Sequence, residues 1–365
     1  SSRFHRLLAA EPLLPASVFH TTHSMPQQRL LVTGVSGFVG SHVAVAATER
    51  GYLVRGTVRS MDFRAKLEEL VPNIELVEVD LVKSSQEEWV EAVRGCDGVC
   101  HVASPFPVKK PQSEDELIQP AVEGTKKVLA ACHAAGIKRV VVTSSSAAIG
   151  YGHEGTNPPK TSFTAEDWSI TENCPAYQKS KTLAERAARD YATEVGLELV
   201  TINPTYIQGP LLHQKDASSC IMVRRLLEGN PPMVPPLGMN ICDVRDVAMA
   251  HLLALEKPDV AGGRFIVDSG PKLMTDVGKI LGPKFPLWSV PTWEAPYILI
   301  SLISWFDDEI AAVLPRWRDC TLYDAEPTKQ ALGMELRSIE TAVTDMATSM
   351  EKLGMLNMQK KKAAS

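Results

Sequence analysis

The chain has no C-x-x-C pair, no cluster of histidines, cysteines and carboxylates at metal-ligand spacing, and no apolar run long enough to span a bilayer. Each lack removes a class of protein. Seven scattered cysteines, an odd count without recurrent spacing, argue against a disulfide framework and point to free thiols in a reducing, cytoplasmic compartment. The longest apolar stretch, YILISLISWF at 297–306, is about half of the ~20 residues that a spanning helix needs. It reads as a buried helix or subunit contact in preference to a helix on a membrane surface. Excess positive charge is missing too. Against 38 Lys and Arg stand 43 Asp and Glu, a net charge of -5, which disfavours a nucleic-acid partner.

What is present is the make-up of an ordinary soluble protein, 44% hydrophobic and 22% charged, and 365 residues suffice for one two-lobed unit or two modest domains. From Arg29 onward, short Val- and Leu-rich runs alternate with helical stretches. RLLVT (29–33), LVRGTV (53–58), IELVEVDL (74–81), GVCHVAS (98–104), RVVVTSS (139–145) and LELVTINP (197–204) read as strands. Helices are expected over 38–50, from about 62, over 86–95, over roughly 114–135 and over 176–195. Strands separated each time by a helix form βαβ units, whose parallel sheet is covered on both faces. The expected fold is therefore α/β: a doubly wound, Rossmann-type parallel sheet with a smaller C-terminal substrate-binding lobe. Regularity decays after residue 205, where proline clusters such as NPPMVPPLG (230–238) mark loops. The expected boundaries are 28–205 for the dinucleotide-binding domain and 206–355 for the lobe, with returns to the first domain. Residues 1–27 and the basic tail 356–365 are expected to lack fixed structure. The first segment reads either as a faint transit peptide or as non-native sequence ahead of a start at Met25.

VTGVSGFVG (32–40) sets Gly34, Gly37 and Gly40, with Phe38 and Val39 among them, between the first strand and the first helix. Glycines there permit a tight turn and let the backbone approach a pyrophosphate, which gains the helix N-terminal dipole. The spacing is G-x-x-G-x-x-G, and its position after the first strand gives it meaning. An acid at the end of the second strand would hold a ribose diol and favour NAD. Arg59 stands there instead, with Lys66 further on. A guanidinium matches the 2′-phosphate of NADP in bidentate fashion, so NADPH/NADP+ is the expected coenzyme.

AYQKSK (176–181) places Tyr177 four residues before Lys181 on one helix face. An unperturbed phenol, with a pKa of about 10, is a poor acid at neutral pH. An ammonium about 4 Å away would stabilise the phenolate by roughly 4 kcal/mol at an effective dielectric near 20, or up to about three pKa units. Tyr177 would then exchange a proton near pH 7, and Lys181 would also reach a bound ribose. About thirty residues upstream, VVTSSSAAIG ends a strand at the sheet's carboxyl edge. A serine hydroxyl there can polarise a substrate carbonyl. If the strand persists, alternation turns Ser144 and Ser146 away from the side that Ser145 faces.

Gly34, Gly37, Gly40, Ser145, Tyr177 and Lys181 together resemble the extended short-chain dehydrogenase/reductase superfamily. HVASPF, TSSSAAIGYGH, YQKSKTLAERAA, INPTYIQGP and DVRDVAMAHLLALEKP resemble its dihydroflavonol reductase-like branch, which holds plant dihydroflavonol and cinnamoyl-CoA reductases and microbial aldehyde/ketone reductases. The resemblance covers about 29 to 355. It implies NADPH-dependent reduction of an aldehyde or ketone by a Ser-Tyr-Lys set, with Arg59 at the 2′-phosphate and Asp80 and Leu81 near adenine. It also implies Val102, Ala103 and Ser104 along the dinucleotide and Pro204 near the nicotinamide. Departures narrow the substrate. Gly150 stands where dihydroflavonol reductases usually carry asparagine, and Ala176 and Gln178 replace the residues that flank the tyrosine in cinnamoyl-CoA reductases. AIGYGH and SKTLAERAA look more like the microbial aldehyde and ketone reductases.

Two other functions compete. A nucleotide-sugar epimerase or dehydratase uses the same residues with tightly held NAD, but Arg59 speaks against it. A non-catalytic dinucleotide sensor would lack the tyrosine or the lysine, and this chain has both. The implied partner is a small carbonyl compound, with the chain as monomer or homodimer. His101 reads as a satisfied core histidine, His153 as a loop residue near the site that the chemistry does not need, and Asp243 and Asp246 as caps of a helix start.

Overall fold

The computed structural model describes residues 27–104, 113–214, 218–230, 232–305, 314, 317–319 and 321–357. The expectations for residues 1–26 and for the tail beyond Asn357 lie outside them. Seven parallel strands form the central sheet: β1 (Arg29–Val32), β2 (Leu53–Val58), β3 (Glu75–Glu78), β4 (Gly98–His101), β5 (Arg139–Thr143), β7 (Glu198–Pro204) and β10 (Arg264–Val267). Their spatial order is β10-β7-β5-β4-β1-β2-β3. The short β6 (Ser162–Phe163) lies apart from this sheet.

Continuous apolar runs are what a two-faced sheet requires, because neighbouring side chains leave a strand on opposite sides. Leu30 and Val32 enter one core, with Cys100, Val141 and Val200. Leu31 enters the other, with Val99, Val140 and Leu199. The first core is covered by α1 (Phe38–Glu49) and α7 (Val244–Glu256). The second is covered by α3 (Gln86–Val93), α4 (Asp115–Ala134) and α5 (Ala176–Val195). Ser85 and Glu88 start α3 with a reciprocal cap, the serine hydroxyl accepting from the Glu88 N–H and the glutamate from the Ser85 N–H. The remaining helix of this region, α2 (Arg64–Leu70), links β2 to β3.

After β7 the chain builds a second, smaller layer. Its sheet joins β8 (Tyr206–Gln208), β9 (Gly238–Asp243) and β11 (Pro271–Leu273) in the order β11-β9-β8. A separate core forms beneath α6 (Cys220–Glu228), α8 (Met274–Lys284) and the C-terminal α11 (Ile339–Lys352). Between those last two helices lie α9 (Tyr297–Ile303), β12 (Leu322–Tyr323) and α10 (Glu326–Leu332). Two elements from this half return to the large sheet: β10 joins it as an edge strand, and α7 packs over one of its faces.

The apolar stretch at 297–306, expected as a buried helix or a subunit contact, is not buried within the chain over its described part, 297–305. No residue there is buried: Ile298 in α9 is 74% exposed and Trp305 just beyond it 78%. Among the described residues, its ring contact is the edge-on packing of Tyr297 against Trp317 at 5.0 Å. Apolar side chains on every face of a short helix cannot all turn inward at a domain's edge.

Candidate active site

Strand order reverses between β1 and β4, since β2 lies on the other side of β1. The loops leaving these strands diverge and open a crevice there. Gly34 begins the turn with φ +69°, a conformation costly for any side chain, and a Cβ on it would sit 3.1 Å from Ala103 Cβ. A Cβ on Gly40 would collide with the Gly34 carbonyl oxygen. Gly37 is the N-cap of α1, without a side-chain cap and without an acid in the first turn. The helix thus presents backbone N–H groups to an anion. Thr33 fastens the opposite wall: its Oγ1 accepts from the backbone N–H of Val102 and Ala103 at 3.0 and 2.9 Å and pairs with His101 Nδ1 at 2.9 Å. His101 is buried and held near 3 by its burial, with Lys181 adding to the effect, so it is a neutral core histidine.

One cleft of about 630 Å³ gathers most of the candidate residues. Gly34, Gly37, Phe38, Val39, Gly40, Arg59, Asp80, Leu81, Val102, Ala103, Ser104, Tyr177 and Lys181 all line it. Such a glycine cradle, helix end and long cleft fit a dinucleotide. Arg59 lies exposed just past the end of β2, and its charge acts on Asp80. Burial pushes the Asp80 carboxyl up, but the backbone N–H groups of Lys83 and Val82, with Arg59, outweigh it and hold the group below its usual range.

Three candidates are not among the residues that line it: Lys66, Pro204 and Ser145. Lys66 does not line the cleft; its ammonium pairs with Glu69 at 2.8 Å on the outer side of α2. Pro204 is buried in β7, in register with Val267 of β10, and also lies off the cleft. Other lining residues carried no sequence signal. His213, Ser218 and Ser219 come from the irregular chain after β8, and Thr57, whose Oγ1 accepts from the Gly34 N–H at 3.1 Å, looks like any strand residue.

The three consecutive serines have three fates, though not by strand alternation, because β5 ends at Thr143. Ser144 Oγ donates to the buried Glu185 at 2.5 Å. Ser145 caps a 3-10 turn over Ser146–Ala148, with its Oγ accepting from the Ala147 N–H at 3.1 Å, and it lies near enough to the Tyr177 phenol to draw its pKa down. Ser146 is buried in the turn.

The Tyr177–Lys181 pair departs from the expected electrostatics. Lys181 Nζ stands 6.0 Å from the Tyr177 ring centroid and donates to Ser104 Oγ at 3.0 Å. The tyrosine is 40% exposed to the open cleft, yet protein crowds its hydroxyl. Burial, then the neighbouring Tyr151, push its pKa up to about 12, and only Ser145 opposes them. The phenol is therefore held protonated rather than lowered toward neutrality. Lys181 moves the other way: burial pushes it down to about 8, against the pull of Glu185. A group depressed this far loses its proton as pH rises through about 8. A pH profile of kcat/KM should accordingly show a basic limb near that value, and a flat profile to pH 10 (~2 units above) would remove Lys181 from the reaction.

Other polar residues have structural tasks. His153 Nε2 hydrogen-bonds the Trp168 carbonyl at 3.1 Å. Asp243 caps α7 by accepting from the Arg245 N–H at 2.9 Å, whereas Asp246 accepts from the Arg337 N–H at 2.6 Å, binding α7 to a later segment. Among the described residues no group of His, Cys, Asp and Glu is arranged to hold a metal ion, and no helix is long and apolar enough to cross a membrane.

A crevice at a strand-order reversal, floored by a phenol and an ammonium, defines a Rossmann-type oxidoreductase that works on a nicotinamide dinucleotide. The chain belongs to the NAD dependent epimerase/dehydratase family, whose model matches residues 30–267. Within it, the chain is an NAD(P)-dependent reductase of the extended short-chain type. It is 35% identical to cinnamoyl-CoA reductase 1 of Petunia hybrida, over 74% of this chain and 81% of that protein. Dihydroflavonol 4-reductase of Hordeum vulgare is 33% identical over 72% of this chain and 76% of its own. Among solved structures, yeast methylglyoxal/isovaleraldehyde reductase Gre2 complexed with NADPH superposes with a TM-score of 0.74 at 27% identity, covering 90% of this chain and 100% of that one.

Proposed function

We propose that this reductase acts on the carbonyl of a small aldehyde or ketone, with NADPH as coenzyme and alcohol as product. The observation that carries the reading is that Tyr177 and Lys181 line the same cleft as the glycine turn, with Ser145 near enough to the phenol to act on its pKa. When bound, the nicotinamide supplies the hydride. Tyr177 gives its proton to the carbonyl oxygen, Ser145 donates a hydrogen bond to the same oxygen, and Lys181 holds the ribose from the side where it now meets Ser104. Gly150 bears on substrate class. Any Cβ there would collide with the Tyr323 hydroxyl, so the anchoring amide usual in dihydroflavonol reductases has no room, which favours a smaller carbonyl compound. NADPH oxidation by purified protein across aliphatic, aromatic and bicyclic aldehydes and ketones tests the reading. A preparation that oxidised NADPH with none of them, and carried tightly bound NAD, would favour sugar-nucleotide chemistry instead.

Arg59 supports NADPH over NADH. A paired guanidinium and 2′-phosphate form charge-assisted hydrogen bonds of about 1.5–3 kcal/mol. Arg59→Ala should thus weaken NADPH binding by about 10- to 100-fold and leave NADH binding nearly as it was. Because Lys66 is engaged by Glu69 away from the cleft, Lys66→Ala should keep the parent's NADPH affinity. Coenzyme titrations decide, and an unchanged NADPH-to-NADH preference in Arg59→Ala would place the phosphate elsewhere.

A further inference from the structure

Beneath the cleft floor lies a buried carboxylate that the proposed chemistry leaves unused. Glu185 is 2% exposed and follows Lys181 by one turn of α5 and Tyr177 by two. Its Oε2 accepts from Ser144 Oγ at 2.5 Å and Asn203 Nδ2 at 2.7 Å; its Oε1 accepts from Arg264 Nε at 2.6 Å, Thr201 Oγ1 at 3.2 Å and Arg189 Nε at 3.3 Å. These donors border the reaction centre. Ser144 directly precedes Ser145, and Asn203 gives its other amide hydrogen to the Ser145 carbonyl at 3.1 Å. Arg264 donates to the carbonyls of Ala148 and Ala165 at 3.1 and 2.8 Å and to that of Asp167, and it stacks on Trp168 at 3.9 Å. A cavity of about 20 Å³ is lined by Glu185, Lys181, Ser144 and His101.

We propose that Glu185 is a positioning residue that ties the Ser145 turn, the Tyr177–Lys181 helix and the Arg264 strand into one frame and supports the charge of Lys181. The inference rests on the roles given above to Ser145, Tyr177 and Lys181. A buried carboxylate with so many donors stays ionised: burial pushes its pKa up, but Arg264, Ser144 and Arg189 bring it below the usual range. Its position fixes the separation between Ser145 and Tyr177, and small displacements of such groups cost turnover heavily. Its negative charge opposes the burial that strips Lys181 of its proton.

Two measurements distinguish this from a purely structural role. The first needs no substrate: NADPH dissociation constants by fluorescence titration across neutral and alkaline pH. Parent binding should weaken as pH rises through about 8, where Lys181 loses its proton. In Glu185→Gln the weakening should begin about one pH unit lower, as removal of a nearby opposite charge dictates, and Glu185→Asp should restore the parent's profile. The charged and titratable groups facing this pair are Arg189 and Tyr177 of α5, Arg264 of β10 and His101 of β4, all left in place. The second is turnover. Ser144→Ala removes one hydrogen bond to a buried carboxylate and no charge, so it should melt modestly below the parent, bind NADPH as tightly and lose about fivefold in kcat. A parental binding profile in Glu185→Gln, or parental kcat in Ser144→Ala, overturns the proposal. Should Glu185→Gln fail to fold, Ser144→Ala decides alone. A parent that binds NADPH but reduces no carbonyl overturns the functional reading instead, and the binding profiles still judge Glu185.

Discussion

Tyr177→Phe is expected to lose at least about 10² in kcat, the scale of a missing general acid, while NADPH binds nearly as before. The substitution removes one oxygen from a ring that is 40% exposed in an open cleft, so it creates no cavity in the core and leaves α5 intact. The phenol is held protonated, with a pKa pushed up to about 12 by burial. Its proton becomes labile only when a developing alkoxide lies beside it. Loss should therefore appear in kcat rather than in coenzyme affinity, and it should persist at every pH at which Lys181 keeps its charge. Steady-state kinetics together with NADPH titration check this. A phenylalanine variant with parental turnover would mean that the proton comes from elsewhere.

Ser145→Ala is expected to cost about 10² in kcat, near the value of one oxyanion donor. It should exceed the effect of Ser144→Ala, because the Ser144 hydroxyl is turned toward Glu185 whereas Ser145 lies near Tyr177. The alanine also removes the acceptor for the Ala147 N–H, so a modest drop in melting temperature should accompany the loss. Turnover and thermal unfolding of the three single alanine variants at 144, 145 and 146 settle the order. A larger loss at Ser146 would move the polarising role to that hydroxyl.

The sheet was legible because pairs such as Leu30 and Leu31 serve opposite cores, which leaves an unbroken apolar run as a visible trace. The glycine turn was legible because only glycine tolerates both the φ of Gly34 and the approach of Gly40 to the Gly34 carbonyl. Direction was harder. That Lys66 turns toward Glu69 depends on which side of α2 faces the cleft, and no local pattern states this. Helix spacing placed Tyr177 and Lys181 on one face but could not supply the burial that raises the phenol, or Ser104, which draws the ammonium away. The Arg264–Glu185 pair joins residues 79 apart in sequence, so only the assembled sheet brings it into being.

That β10 and α7 return to the large sheet limits how this molecule can be cut and recombined. A chain stopped after Pro204 would keep the glycine turn, the phenol and the ammonium, yet β7 would become an edge strand. Its backbone partners at Gly263 and Val267, and the face of α1 that α7 covers, would be lost. An apolar edge of that kind pairs with its own copies before it binds a coenzyme. Exchanging the smaller layer therefore means replacing two separate stretches, 206–243 and 268–357, around a retained α7–β10 splice.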